Sequence, residues 1–109
     1  MITTRDAVLS QQDIIKQTVK VPEWGDEVLI RGMTGSERDE LDRHINAGDT
    51  AGTREKIVAM SMCNEQGELL FSLDDIAELG KKSAKALERI AKEAMKLNGI
   101  VPVEDMEGN

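Results

Sequence analysis

The strongest constraint on the fold lies near the C-terminal end of the sequence, where apolar residues recur at the spacing of one helix face. They are Ala84, Leu87, Ile90, Ala91, Ala94 and Leu97. This period predicts an amphipathic helix from about Lys81 or Ser83 to Asn98. Its opposite face carries Lys81, Lys85, Lys92 and Lys96. Asn98-Gly99 is a left-handed stop signal, and Pro102 cannot continue a helix. The longest apolar stripe of the chain therefore makes this helix central to the predicted core.

Two stretches with β-rich residues predict short hairpins. In the first, Val19 and Val21 alternate with polar residues, and a β-rich run, Val28, Leu29, Ile30 and Arg31, follows the turn 22–26, which contains Pro, Trp and Gly. In the second, 62–71, a polar turn that ends in Gly67 separates two apolar runs. Because two short hairpins bury little surface alone, they need helices to cover them.

Capping signals predict the remaining helices. Thr34 and Glu37 have capping-box spacing and begin a helix that ends at about Ile45 or Ala47, with Leu41 and Ile45 as its buried stripe. A loop with a new cap, 49–53, leads to a helix over 53–62. Ser72 and Asp75 cap a short helix that carries Ile76 and Leu79. Near the start of the chain, apolar spacing predicts a further short amphipathic helix from about Ser10 to Gln17.

These elements predict a small, mostly helical α+β fold with one or two short β-hairpins. The chain has 109 residues, which suits one domain. We expect an N-terminal segment, 1–17, a globular domain, 18–99, and an acidic tail, 100–109, that is disordered in isolation. Trp24 and Phe71 are the only aromatic residues. Aliphatic side chains must therefore form the core, with flexible methionines filling gaps.

Charge and hydropathy exclude several classes of function. The net charge of −7 repels a phosphate backbone, so nucleic acid is not an expected partner. A basic stretch, 81–98, has six basic and two acidic residues. It could enter a nucleic-acid groove, but no cluster of Arg, Asn or Gln able to read base edges accompanies it, so a solvated face is the simpler interpretation. There is neither an apolar run long enough to span a membrane nor a secretory leader, and we expect a soluble protein made in the cytoplasm.

Chemistry-bearing residues are too few and too scattered to predict a catalytic, cofactor-binding or metal site. His44 and Cys63 are the only residues of their types. We interpret His44 as half-exposed near a helix end, and Cys63 as a reduced, partly buried thiol. Trp24 at the hairpin tip either folds back over its own sheet or contacts a partner. The candidate partner-binding residues are Trp24, Met33, Met60 and Met62, although methionines more often fill a core than form an adaptable binding surface.

Three parts of the sequence together resemble a known family. The first, 21–39, reads VPEWGDEVLIRGMTGSERD and contains a Pro-x-Trp-Gly turn, a strand and a Gly-hydrophobic-Thr-Gly-x-Glu-Arg helix start. The second, 57–72, ends in Leu-Phe-Ser, and the third begins at Asp75 and closes on Leu97-Asn98-Gly99. This combination, which spans about 18–100, is similar to tail assembly chaperones of long-tailed, siphovirus-type bacteriophages. The chain resembles the shorter of the two forms of such chaperones, the one without a frameshift extension.

The resemblance implies a non-enzymatic assembly factor. Such chaperones coat the apolar, helical tape measure protein in the host cytoplasm, keep it soluble while tail tube subunits assemble, and are absent from the mature virion. In many relatives a frameshift-extended form contacts the tail tube protein, and self-association is expected. The competing interpretation is a structural head-to-tail connector or tail-terminator subunit of the virion. A nucleic-acid-binding regulator would use the basic helix, and an enzyme would need a site that the sequence does not suggest.

Overall fold

The computed structural model describes residues 2–48 and 52–100. It has an α+β fold with a small antiparallel sheet and more helix than strand, as the sequence predicted. The elements in chain order are α1 (Arg5–Leu9), β1 (Lys16–Val21), β2 (Asp26–Arg31), α2 (Gly35–Asn46), α3 (Thr53–Ala59), β3 (Met62–Cys63), α4 (Ile76–Leu79) and α5 (Ala84–Leu97). Short 3-10 turns cover Pro22–Trp24 and Leu73–Asp75. Most of the predicted acidic tail, 101–109, lies outside the described residues.

The sheet has the strand order β1-β2-β3. The first predicted hairpin is confirmed, with a ladder that runs from Lys16 opposite Arg31 to Val21 opposite Asp26. The second hairpin forms in reduced size. Its first strand, β3, pairs with β2, and a single bridge joins Cys63 to Leu69 across the predicted polar turn. Gly67 in that turn has a φ of 83°, a left-handed conformation that glycine adopts without steric cost.

Helix capping follows the sequence signals closely. The Thr34 hydroxyl accepts a hydrogen bond from the Glu37 N–H, and the Glu37 carboxylate accepts one from the Thr34 N–H. Ser72 and Asp75 form a second reciprocal pair. Ser83 caps α5 by accepting from the N–H of Ala86 at 3.3 Å. These bonds satisfy N–H groups that a helix start otherwise leaves unpaired, which is why the predicted starts are accurate.

The core lies between α5, α3 and one face of the sheet. Leu87 and Ile90 of α5 have no exposed surface, and neither do Val58 of α3 and Ile30 of β2. The predicted stripe of α5 is buried at Leu87, Ile90, Ala91 and Ala94. At its ends Ala84 is exposed, Ala86 is buried in its place, and Leu97 is half-buried. At the end of α5, the Asn98 side chain accepts from the Met33 N–H and donates to the Ala94 carbonyl, both at 2.7 Å. Asn98 therefore connects the loop after β2 to α5 by hydrogen bonds. The Asn98-Gly99 stop signal in the sequence predicts only the end of the helix and not this connection.

The predicted helix from Ser10 to Gln17 is wrong. The first helix is α1, which begins one residue after Thr4, whose hydroxyl accepts a hydrogen bond from the Ala7 N–H at 3.3 Å. Gln17 belongs instead to β1, which starts at Lys16. Pairing with β2 satisfies the backbone there, so a tertiary contact overrides the weak helical period of the sequence. No residue of α1 is buried.

The exposure of Ile45, both ends of α3 and the start of the tail also differ from the expectations. Ile45 is 43% exposed, since it lies near the end of α2, past Leu41, which packs in the core. The helix predicted over 53–62 ends at Ala59, and Met62 is in β3. The residue preceding α3 is Gly52, with φ 75° and no side-chain cap, while 49–51 lie outside the described residues. Ile100, predicted to begin the tail, donates its N–H to the Met95 carbonyl at 2.8 Å and packs against the core.

Candidate partner-binding surface

An open apolar groove of about 400 Å³ lies where the tip of the first hairpin meets α4. Trp24, Met62, Phe71 and Leu79 provide its apolar lining, which we call the Trp24 groove. The charged residues that also line it are Asp75, Glu78 and Lys82. Both aromatic residues of the protein therefore meet in one concave surface.

Trp24 is held in place by the chain around it. Pro22 is the first residue of the 3-10 turn, and its ring fixes φ near the value that the turn needs. Gly25 closes the turn with a φ of 66° and donates its N–H to the Pro22 carbonyl at 3.1 Å. The adjacent Glu23 accepts two hydrogen bonds from the Arg89 guanidinium of α5, at 3.2 and 3.0 Å. Trp24 is nevertheless 37% exposed, so a firmly positioned turn presents part of the indole to solvent.

The Glu23–Arg89 pair has an electrostatic signature. The hydrogen bond from Arg89 lowers the pKa of the Glu23 carboxyl below its ordinary value of 4.5, and the same contact raises the pKa of Arg89. Two parallel N–H donors fix the orientation of a carboxylate as well as its charge. The pair therefore fastens the hairpin tip to α5 wherever Glu23 is ionised.

The apolar surface continues beyond Phe71. A second, smaller groove of about 280 Å³ shares Phe71 and is also lined by Met60, Leu69 and Leu73. In the same chain segment Leu70 is 52% exposed and Leu73 is 47% exposed. A contiguous run of large apolar side chains that the core leaves partly uncovered is a feature of interaction surfaces, which makes this region the candidate surface.

The four predicted partner-binding residues do not lie together. Trp24 and Met62 line the same groove, although only 5% of Met62 is exposed. Met60 is equally buried and lines the groove on the other side of Phe71. Met33 lies in the loop after β2 and packs against the core. Met33 and Met60 thus act as core filler, and a binding role for any of the four remains a prediction.

Sequence reasoning missed Phe71, Leu79 and Glu78 as residues of this surface. The sequence pattern predicts Phe71 only as part of a hairpin strand and Leu79 only as part of the apolar face of a short helix. The signal that could have found them is the density of apolar residues in the run LLFSL, 69–73. Successive side chains of a strand point to opposite faces, so a strand with one buried face needs apolar residues at only about every second position. Four large apolar residues among five positions exceed that number.

A third groove, of about 510 Å³, lies between α2, α3 and α5. Its apolar lining includes Leu41, Ile45, Ile57, Met95 and Ile100. Ile100 directly precedes residues that lie outside the described part of the chain, and the same is true of Gly48, which closes α2. The Trp24 groove is defined more completely, since all of its lining residues are described.

The two residues considered for nucleophilic chemistry provide no arrangement that suits it. Cys63 is a free, buried thiol in β3, and burial raises its pKa, which disfavours the reactive thiolate. His44 is half-buried on α2, and its Nε2 is buried without a hydrogen-bond partner among the described residues. Within residues 2–48 and 52–100, no group of three or more His, Cys, Asp or Glu side chains is placed to hold a metal ion. No helix in that part of the chain is long and apolar enough to cross a membrane.

The basic face of α5 is partly neutralised by acidic neighbours. Arg89 is occupied by Glu23, and the Lys96 ammonium lies 3.7 Å from the Glu93 carboxylate. Lys85 and Lys92 line a shallow polar depression together with Glu88 and Glu93. Mixed charges of this kind are typical of a solvated helix face and would repel as well as attract a phosphate backbone.

Comparison with known proteins decides the family. Residues 3–109 match the sequence profile of a family described as phage tail assembly chaperone. The chain belongs to this family. The tail assembly chaperone of bacteriophage HK97 has a similar solved structure, with a TM-score of 0.65 and 18% sequence identity over 89% of this chain and 95% of that one. At that identity the likeness shows a shared fold. No curated protein sequence matches the chain significantly.

Proposed function

We propose that this chaperone is a non-enzymatic assembly factor that binds the tape measure protein of a long-tailed phage. It keeps that protein soluble while tail tube subunits assemble around it. The observation that carries the proposal is the family match over residues 3–109. A tape measure protein is long and apolar, so before assembly it requires a soluble partner that covers it.

Several properties of the chain support this role. A net charge of −7 favours solubility of a complex that contains an apolar partner. The uncovered apolar grooves beside Phe71 offer contact area without a catalytic constellation. Many copies on one long chain would gain strength from multiplicity, so each contact can remain weak and be released when tube subunits compete. Self-association between neighbouring copies, and recruitment of the tail tube protein by a frameshift-extended form, belong to the same proposal.

Co-expression tests the function directly. The tape measure protein of the same phage should be insoluble when expressed alone and soluble when expressed with this chaperone. The two should co-purify as an elongated complex with many chaperone copies per tape measure chain. If the tape measure protein stays insoluble and does not co-purify, the proposed function is wrong.

Localisation separates the proposal from the connector or tail-terminator alternative. We expect the chaperone in the host cytoplasm during assembly and not in the finished particle. Mass spectrometry of purified virions should detect tube and tape measure proteins and lack peptides of this chain. Stoichiometric recovery of the chain from virions would favour the structural alternative instead.

A further inference from the structure

Among the grooves formed by the described residues, the Trp24 groove combines an exposed aromatic anchor with a fixed backbone. Pro22, Gly25 and the two hydrogen bonds between Glu23 and Arg89 hold the turn before any partner arrives. A turn whose backbone is already ordered loses little conformational entropy when a partner covers it. Tryptophan is also enriched among the residues that dominate binding energy in interfaces. The turn therefore presents Trp24 as a preorganised contact.

The lining of the groove restricts the secondary structure of what can bind there. Its apolar part consists of side chains from Trp24, Met62, Phe71 and Leu79. An extended segment laid across these side chains would bury N–H and C=O groups without partners, which is costly. A helix satisfies its own backbone and presents only side chains, which is how amphipathic helices bind in apolar grooves. The groove is thus suited to a helix face rather than to a strand.

The charged residues beside the groove restrict the composition of the partner. Asp75 and Glu78 line it together with one cation, Lys82. The Glu78 carboxylate lies 3.2 Å from Lys81, but 75% of the Glu78 side chain is exposed, and such a surface pair exchanges readily. With the net charge of −7, these carboxylates favour basic residues at the border of the bound helix face.

We infer that the Trp24 groove binds the apolar face of an amphipathic α-helix that carries basic residues beside that face. The proposed function supplies the natural source of such a helix, the tape measure protein, and the inference rests on it to that extent. The indole of Trp24 covers one side of the helix, Phe71 contacts its apolar stripe above the buried side chains of Leu79 and Met62, and Asp75 and Glu78 face its basic border.

The full chain carries its own probe for this site, because Trp24 is the only tryptophan and there is no tyrosine. The ligand is a synthetic peptide of about 18 residues with a leucine stripe at helical spacing and lysines on the remaining face. Titrating it into the protein should shift the Trp24 emission to shorter wavelength and reduce acrylamide quenching, with saturation. A peptide with glutamates in place of the lysines should bind at least about fivefold more weakly at low salt. An extended peptide of β-branched residues, interrupted by proline, should leave the emission unchanged.

Variants locate the binding energy. Trp24→Ala should weaken binding of a dye-labelled lysine peptide, measured by fluorescence anisotropy, by about tenfold or more. Glu78→Lys should weaken it by about two- to fivefold. The matched control is Asp39→Lys, which makes the same charge change at an exposed position on α2, outside the groove, and should leave the affinity unaltered. Circular dichroism verifies that each variant is folded. If Trp24→Ala does not fold, Glu78→Lys still tests the site.

Several results would overturn the inference. Peptide binding without any change in Trp24 emission would place the site elsewhere on the protein. If the glutamate peptide bound as tightly as the lysine peptide, the groove would not require basic residues. If the extended peptide bound as tightly, the groove would not require a helix. An emission shift that depends on protein concentration alone would show that a second copy of the chain fills the groove.

Failure of this inference is distinguishable from failure of the proposed function. If Trp24→Ala and Glu78→Lys still solubilise the tape measure protein on co-expression, the function stands and the groove is not its binding site. If the lysine peptide binds at Trp24 as described but the tape measure protein stays insoluble, the groove assignment stands and the function is wrong.

Discussion

The apolar side chains of α5 and those around Trp24 are similar in chemistry but differ in what covers them. Leu87 and Ile90 are enclosed by α3 and the sheet and have no exposed surface. Around Trp24 the hairpin tip and α4 leave an open groove, and a second groove that shares Phe71 extends the apolar surface to Leu73. Apolar area removed from water by the chain's own folding stabilises the fold, whereas apolar area that is held in place but uncovered is available to a partner.

The largest expected effect tests the enclosed side of this comparison. Leu87→Ala should lower the free energy of unfolding by about 2–5 kcal/mol, because it leaves a cavity in the core. The matched control is Leu70→Ala, where the same atoms are removed from a side chain that is 52% exposed, and the loss should be about 0.5 kcal/mol or less. Urea unfolding followed by circular dichroism measures both. Similar losses in the two variants would contradict the distinction between a covered and an uncovered apolar region.

A smaller effect is expected at the end of α5. Asn98→Ala removes the acceptor for the Met33 N–H and the donor to the Ala94 carbonyl. The free energy of unfolding should fall by about 1–3 kcal/mol, since the part-buried Met33 N–H loses its acceptor, while the Ala94 carbonyl keeps the backbone N–H of residue 98 as a donor. Asn46→Ala, at the exposed end of α2, is the control and should change stability little. Equal effects at the two asparagines would show that Asn98 acts only as a helix stop.

The open side of the comparison predicts a separation of stability from binding. Trp24→Ala should lower the free energy of unfolding by about 1–2 kcal/mol, less than Leu87→Ala, because the indole is only partly covered by its own chain. Solubilisation of the tape measure protein should nevertheless be lost at a temperature where the variant remains folded. If stability falls as far as in Leu87→Ala, then Trp24 belongs to the core rather than to a binding surface.

The sequence was sufficient to predict the elements whose signals are local. The caps at Thr34, Ser72 and Ser83 begin their helices as expected, because each hydroxyl satisfies an N–H two or three residues away. The period of α5 was equally informative, and its buried face differs from the predicted one only at the first turn, with Ala86 inside and Ala84 outside. A helical period identifies a face only to within about one residue in either direction, and the neighbours that pack on it fix the rest.

What could not be predicted depends on contacts that are distant in sequence. Pairing with β2 extends the predicted strand back to Lys16 and Gln17, which the helical spacing before them assigns to a helix. The Trp24 groove joins a hairpin tip, a strand and a four-residue helix, whose proximity no local pattern encodes. Glu23 is 66 positions from Arg89, and their pairing, which holds Trp24 in place, became visible only in the fold.

The smallest expected effect concerns that pairing and the pH at which it acts. Arg89 lowers the pKa of Glu23 in the folded protein, whereas the unfolded chain has the ordinary value near 4.5. The stabilisation by the pair is therefore fully present above that ordinary pKa and is lost as the pH falls through the lower pKa of the folded state. Glu23→Gln should accordingly lower stability at neutral pH, and the difference from the unaltered protein should disappear in acid.

A double-mutant cycle makes this prediction specific to the hairpin tip. In an Arg89→Gln background, the pH-dependent effect of Glu23→Gln on the free energy of unfolding should be much smaller, because the largest contribution to the lowered pKa of Glu23 is absent. Raised salt should shrink the effect in the original background, since the pair is exposed to solvent. Acrylamide quenching of Trp24 should rise with loss of the pair while Leu87 and the core stay intact. If the pH dependence persists undiminished without Arg89, the backbone hydrogen bond at Glu23 and the charge of Lys85 hold the pKa of Glu23 down, and Trp24 is held by its turn alone.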